Sequence, residues 1–254
     1  YYEVTLLPSQ VKAKLTTTER CGIHEYMFPL NSSKNIYVNL KHRDEVLDSY
    51  IEITNDKQIR GYRISKGWAK EQHVYFVAQF SESIYKYDLF NDECLISKTN
   101  KLQGKGVEAN LTFSGKTSVL MIKVGISGVS MENALQNLNK EAPHWKFEEY
   151  KASAAELWNK ELKKINIIQA SDGVKTVFYT ALYHCMMHPN VFNDINGDYR
   201  GLDKKIYNIG NKSNYYTVFS LWDTYRALHP LFTITDQKRR SEERRVGKEC
   251  RSRW

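Results

Sequence analysis

Long apolar runs are missing from this chain of 254 residues: none approaches the ~20 consecutive residues of a membrane-spanning helix. Cysteine is scarce, with four in the chain and no CxxC spacing, so neither a disulfide framework nor a structural zinc site is indicated. The five prolines form no Pro-rich linker, and internal repeats and low-complexity tracts are absent. No GxSxG, Walker A or Cys/His nucleophile pattern occurs, which removes the usual marks of a serine hydrolase or a P-loop enzyme. Neither an initiating Met nor a signal sequence precedes Tyr1, which stands inside a strand-like run, so a segment upstream is expected to have been lost.

What is present is a globular composition, 41% hydrophobic, 13% aromatic and 26% charged, with a mean hydropathy of -0.57. It excludes a disordered tail and a collagen, and the length suits one large domain or two smaller ones. The formal charge of +8 is inflated by the last fifteen residues, RSEERRVGKECRSRW (240–254), which lack any helical or strand period. They resemble the in-frame translation of a sequencing adapter and are set apart as an artefact tail. Without their six basic and three acidic residues the balance falls to +5, spread along the chain, and a basic patch for nucleic acid has little support. Cys250 goes with them, leaving an odd three cysteines, and the chain reads as cut at both ends.

Up to about Ser127 the text is strand-like, with runs such as YEVTLL, VKAKLTTT, IYVNL, VYFVAQF, VEANLTF and SVLMIKVGIS broken by turn residues. Such a series predicts an antiparallel β-sandwich. In HVYFVAQFS both Val74, Phe76, Ala78 and Phe80 on one face and Tyr75 and Val77 on the other are apolar, the pattern of a strand covered on both sides. Gly104-Lys105-Gly106-Val107-Glu108-Ala109 resembles half of a dinucleotide fingerprint. It lies between strand-like runs, so an ordinary hairpin turn is expected instead.

After Ser130 the period changes from two to 3.6. Met131–Ala142 reads as a short helix, and Phe147, Tyr150, Ala154, Leu157, Trp158 and Leu162 recur at helical steps. Ser171-Asp172-Gly173 starts another helix, with a stripe of Phe178, Ala181, Leu182, Cys185 and Met186 that His188-Pro189 should stop. A loop rich in Asn, Asp and Gly follows, and then Val218, Leu221, Trp222, Tyr225 and Leu228 form a further stripe ending at Pro230. The expected division is a sandwich domain over 1–128, a helical linker over 129–170 and the start of an all-α domain over 171–239. Two helices cannot bury both stripes alone, so those at 174–188 and 217–229 are expected to be exposed and poorly ordered.

Three constellations could carry chemistry. Asp194, Asn196 and Asp198 place oxygens at alternate positions, as a hard cation would accept, but an EF-hand would need Gly and Glu where Tyr199 and Lys205 stand. That loop is either packed by its own hydrogen bonds or touches a ligand through Asp198, Tyr199 or Arg200. Trp222-Asp223-Thr224-Tyr225-Arg226 is either a core Trp and Tyr beside a surface ion pair, or the end of a sugar pocket where an aromatic plate meets polar groups. His184 and His188 share a helix face at i, i+4, but without a zincin's Glu they read more simply as helix-terminal histidines.

Taken together, GYRISKGWAKEQHVYF (61–76), KVGISGVSMENALQNL (123–138), FYTALYHCMMHPNVFNDINGDYRGLD (178–203) and YYTVFSLWDTYRALHPLFTITD (215–236) resemble successive pieces of the glycoside hydrolase family 92 α-mannosidases. The resemblance runs over nearly all of residues 1–239, and FSLWDTYRALHP is its most specific part. It implies a multi-domain β + α architecture: an incomplete N-terminal β-sandwich, a helical linker and the first helices of an (α/α)6 barrel. It also implies a calcium-dependent, inverting exo-enzyme of the periplasm or the cell exterior that releases mannose from N-glycans or mannosides. The family's general acid Glu and general base Asp would lie beyond Asp236, so the fragment itself is expected to be inactive. Asp223 is the candidate for hydrogen-bonding the terminal mannose, with Trp222 and Arg226 shaping the pocket and Asp198, Tyr199 and Arg200 as further substrate-binding candidates. No calcium ligand can be placed from the resemblance. The rival readings are a non-catalytic carbohydrate-binding module and another (α/α)6 glycosidase or phosphorylase.

Overall fold

Alternating apolar side chains turn the residues before Ser130 into two facing antiparallel sheets in the computed structural model, which describes residues 1–114, 117–210, 213–217 and 224–237. Strands are numbered along the chain. The large sheet runs β1 (Tyr2–Leu6), β2 (Val11–Thr17), β3 (Cys21–Met27), β12 (Val119–Ser127), β7 (Gln72–Phe80), β6 (Gln58–Lys66), β5 (Glu45–Asn55) and β10 (Lys101–Gly104). The small sheet runs β4 (Lys34–Asn39), β11 (Val107–Phe113), β8 (Ile84–Asn91) and β9 (Cys94–Ile96). Between them Ile51, Ile59, Phe80, Leu120 and Ile122 of the large sheet meet Leu89, Val107, Ala109 and Leu111 of the small one. The rings of Phe80 and Phe113 pack at 5.0 Å across this core.

The large sheet is buried on its outer face as well. There Cys21, Ile23, Val77 and Met121 pack against Ala134 and Leu138 of α1 (Met131–Glu141) and Phe147 and Tyr150 of α2 (Phe147–Leu162). Val77 and Ala78 thus serve different cores, as period-two geometry requires. Ser130 caps α1, its side chain accepting from the Asn133 amide at 3.1 Å. Where α1 crosses β12, a Cβ on Gly125 would collide with the Ala134 carbonyl oxygen and Leu138, so only glycine permits that approach.

A buried ion pair pins the end of α1. Arg20 donates from Nη1 to Glu141 Oε1 at 2.6 Å, while Glu141 Oε2 accepts from Thr18 Oγ1 at 2.6 Å and from the Arg20 amide at 2.9 Å. Cys21, next in sequence, is buried, and its thiol is pushed up to about 12 by loss of solvent and by the neighbouring Glu141 carboxylate.

One expectation fails here. Gly104–Gly106 is not a hairpin turn, because β10 belongs to the large sheet and β11 to the small one. The segment crosses between sheets, and Gly106 is needed there because a Cβ would meet the backbone and side chain of Asp92, while Gly104 lies against the movable end of the Asn91 side chain. The Gly106 amide donates to Asn91 Oδ1 at 3.2 Å, and the Asp92 amide to the Gly106 carbonyl at 3.0 Å.

The chain divides into two compact units, Tyr1–Ala154 and Ala155–Trp254. The first therefore takes in α1 and the start of α2 along with the sandwich. The second holds α3 (Asp172–Cys185), the short strands β13 (Asp198–Arg200) and β14 (Ile206–Asn208), and α4 (Leu228–Thr235). Ser171 caps α3, accepting from the Val174 amide at 3.5 Å. Of the expected stripe only Leu182 is buried, so α3 is exposed as anticipated. The second stripe departs from expectation. Val218, Leu221 and Trp222 lie outside the described residues, Tyr225 is 52% exposed within a turn at 225–227, and α4 begins at Leu228. Pro230 does not end a helix but sits in the first turn of α4, where a missing N–H leaves no intrahelical hydrogen bond unmade.

Replacing Glu141 by Ala removes the buried carboxylate from the Arg20 guanidinium, which is 8% exposed and retains the exposed Glu19 carboxylate at 3.0 Å. The expected loss is about 1–3 kcal/mol, read from the urea midpoint. In native protein at pH 8, iodoacetamide should modify exposed Cys94 and spare Cys21 until the chain unfolds.

Candidate functional site

The loop after α3 is organised by side-chain amides and carboxylates. Asn193 is buried: its Oδ1 accepts from the Tyr215 amide at 2.8 Å and its Nδ2 donates to the Asp194 carbonyl at 3.0 Å. The Gly197 amide closes a turn onto the Asp194 carbonyl at 2.9 Å, and Gly197 takes φ +89°, a left-handed geometry that favours glycine. The chain then runs into the β13–β14 hairpin, in which Asp198 pairs with Asn208, Tyr199 with Tyr207 and Arg200 with Ile206.

Asp198 stands at the centre of this hairpin. Its Oδ2 accepts from Asn196 Nδ2 and its Oδ1 from Asn208 Nδ2, both at 2.7 Å, and its own amide donates to Asn196 Oδ1 at 3.0 Å. Tyr199, two-sided in its packing, stacks on Tyr215 at 3.9 Å between centroids and on Tyr207 at 5.7 Å. Arg200 donates from Nη1 to the Lys204 carbonyl at 3.0 Å, across the hairpin turn. Of the sequence-derived candidates the structure thus brings Asp198, Tyr199 and Arg200 together. The loop is packed by its own hydrogen bonds at Asp198 and by ring stacking at Tyr199.

Arg226 is exposed and donates from Nε to the Tyr225 hydroxyl at 2.7 Å, its guanidinium lying 5.4 Å from that ring. Trp222 and Asp223 lie outside the described residues. Thr224 is buried and hydrogen-bonds His229 Nε2 at 3.0 Å. The His184/His188 pair does not form, because α3 ends at Cys185 and His188, preceding Pro189, is off the helix. Sequence reasoning missed Asn193, Asn208 and Tyr215, whose roles depend on partners 10 to 22 positions away.

Calcium needs six or more oxygen ligands, several of them carboxylates. Among the described residues no three His, Cys, Asp or Glu side chains gather to hold a metal, and both Asp198 oxygens already take amide donors. These residues therefore do not fit a calcium cradle.

A sandwich that leads into helices and a tyrosine-rich, amide-braced hairpin is matched by glycoside hydrolases. The profile of the glycosyl hydrolase family 92 N-terminal domain matches residues 1–127 and that of the family's catalytic domain residues 133–245. The chain belongs to glycosyl hydrolase family 92. Among solved structures, the family GH92 α-mannosidase BT3965 from Bacteroides thetaiotaomicron is 36% identical, over 91% of this chain and 32% of that one, with a TM-score of 0.85. The same protein in complex with mannoimidazole matches at 36% identity over 91% of this chain and 31% of that one, TM-score 0.83. The family GH92 inverting mannosidase BT2199 from Bacteroides thetaiotaomicron VPI-5482 is 26% identical over 91% of this chain and 32% of that one, TM-score 0.81. The chain spans about a third of the length of these relatives. No curated protein matches it.

Asp198→Ala removes the acceptor shared by Asn196 and Asn208. Exchange at the Gly197 and Ile209 amides, which hydrogen-bond within this loop, should then accelerate by a factor that corresponds to about 1–3 kcal/mol of lost protection.

Proposed function

We propose that this chain is part of a calcium-dependent, inverting exo-α-mannosidase of the periplasm or cell exterior that releases terminal mannose from N-glycans or mannosides. The observation that carries the proposal is the 36% identity to an α-mannosidase, over 91% of this chain, in a protein also solved with mannoimidazole. The exposed apolar residues of α3, Val174 and Val177, support it, since such a face suits packing against further helices of a barrel.

Inversion requires two carboxyl groups ~6.5–9.5 Å apart, one protonated toward the leaving oxygen and one ionised to activate water on the opposite ring face. In the proposal those two groups come from parts of the enzyme beyond Asp236, and so do the calcium ligands. Asp223 grips the terminal mannose, and Trp222 and Arg226 shape the wall beside it. Asp198, Tyr199 and Arg200 contribute a second wall. The stacked, amide-braced hairpin supports this reading by holding Tyr199 and Asp198 in fixed positions.

The 254-residue polypeptide assayed alone with an aryl α-mannoside and calcium should show no turnover, and turnover above background would refute this part of the proposal. In an intact homologous enzyme carrying the same FSLWDTYR segment, replacing the residue equivalent to Asp223 by Ala should lower kcat/KM about a hundredfold. Chelation should abolish its activity and added calcium restore it. Unchanged kinetics in either experiment would count against the assignment.

A further inference from the structure

The large sheet has eight strands and the small one four, so part of the large sheet has no strand of the small sheet above it. That part lies toward β1. Val11 of β2 belongs to the inter-sheet core, and its alternates Ala13 and Leu15 face the same way. Their cross-strand partners on β1 are Leu6, Val4 and Tyr2, which therefore also face inward. Yet Tyr2 is 59% exposed and Leu6 45%. On β3, half-buried His24 pairs with Leu15, and its Nδ1 hydrogen-bonds the Tyr26 hydroxyl at 3.0 Å. The result is an uncharged, largely apolar shelf.

Beside the shelf stands β4, the edge strand of the small sheet. Lys34 at its start donates to the Thr117 carbonyl at 2.9 Å, and the next carbonyl, of Ser118, accepts from the amide of Phe28 just past β3 at 2.7 Å. At the other end the Leu40 amide donates to the Val107 carbonyl at 3.1 Å. Alternation then aims the backbone groups of Ile36 and Val38 at β11 and those of Asn35, Tyr37 and Asn39 at the open side. Among the described residues no strand pairs with β4 there.

Free strand edges are normally guarded by charge, proline or shortness. The other three edges follow that rule: β1 carries Glu3, β9 has three residues, and β10 has four and begins with Lys101. β4 does not. Its single charge, Lys34, is buried and paired with Glu82, and residues 35–39 read NIYVN. An uncharged edge beside an apolar shelf is complementary to one kind of group, an extended uncharged segment. Its backbone would bond Asn35, Tyr37 and Asn39, and its alternate apolar side chains would turn down onto Tyr2, Leu6 and Leu15.

We propose that this slot is filled by a β-strand from the part of the enzyme outside these 254 residues, which adds a fifth strand to the small sheet at β4. The inference rests on the reading of this chain as part of a larger enzyme, and its support is the unguarded edge together with relatives about three times as long.

The test titrates the isotope-labelled 254-residue chain with overlapping synthetic peptides that cover the portions of BT3965 this chain does not match. One peptide should give saturable amide shifts at Asn35, Tyr37 and Asn39 and slow their exchange. Tyr37→Pro removes an outward donor and keeps the bonds to β11, since proline is tolerated where the N–H faces away from the ladder, and should weaken that binding about tenfold. Should Tyr37→Pro disturb the fold, Leu6→Glu places a charge on the shelf at an already exposed position and should also weaken binding about tenfold. No peptide acting on β4, effects confined to β9 or β10, or undiminished binding in either folded variant would each overturn the proposal. Mannosidase activity of the intact homologue is read separately, so a failed strand leaves the activity assignment standing, and a failed activity leaves the strand.

Discussion

The structure depends on one constraint: the eight-stranded sheet is apolar on both faces and must be covered twice. β12 shows how it is met. Leu120 and Ile122 enter the inter-sheet core, Met121 enters the core under α1, and Lys123 is buried at 4% exposure on that same outer side. An ammonium group there would be prohibitive without partners. It donates to the Ala142 carbonyl at 2.7 Å, at the negative end of α1, and lies 4.2 Å from the Trp145 ring. Burial still lowers its pKa. Because the ammonium bonds the residue that caps α1, the helix cannot slide along the sheet without leaving a buried charge uncompensated. Arg20 and Glu141 fix the same helix end from the β2–β3 turn.

Two buried glutamates then do different work on the two sheets. Glu141 is saturated by a guanidinium, a hydroxyl and a backbone amide, which makes it a fastening. Glu108 is held by one amide and one ammonium, and its carboxylate pushes the ionisation of the exposed Tyr37 up to about 12. The first faces a helix and is closed off.

Much of this was legible in the sequence, and what was not fails for a common reason. The doubly apolar HVYFVAQF announced a strand with two cores, and Ser130 and Ser171 marked helix starts because caps are local chemistry. At Gly104–Gly106 local sequence suggests a hairpin, but sheet membership is decided by distant partners: β10 pairs with β5, about fifty residues earlier, rather than with β11. In β5 and β6 the polar alternates are large, and register shifts at Val46/Asp48 and Ile53/Asn55 interrupt the period. At the candidate site the triplet Asp198, Tyr199 and Arg200 stood out by composition. Its preference for internal bonding could not, because Asn208 and Tyr215 complete it from 10 and 16 residues away.

That internal bonding bears on how the second unit can take part in sugar recognition. Its described apolar burial is slight, resting on Leu182, Tyr199, Tyr215, Tyr216 and Phe232, so apolar area alone holds little of it in place. The hairpin is ordered instead by bonds from amides to a carboxylate and by three stacked tyrosines, interactions with directional requirements. A carboxylate that accepts an amide on each oxygen ties Asn196 to Asn208 across the hairpin. Asp198 fixes where the backbone of Gly197 and Ile209 and the flanking Arg200 stand. Asp198 and Tyr199, the two most conspicuous residues of the loop, are therefore also the ones that set its shape.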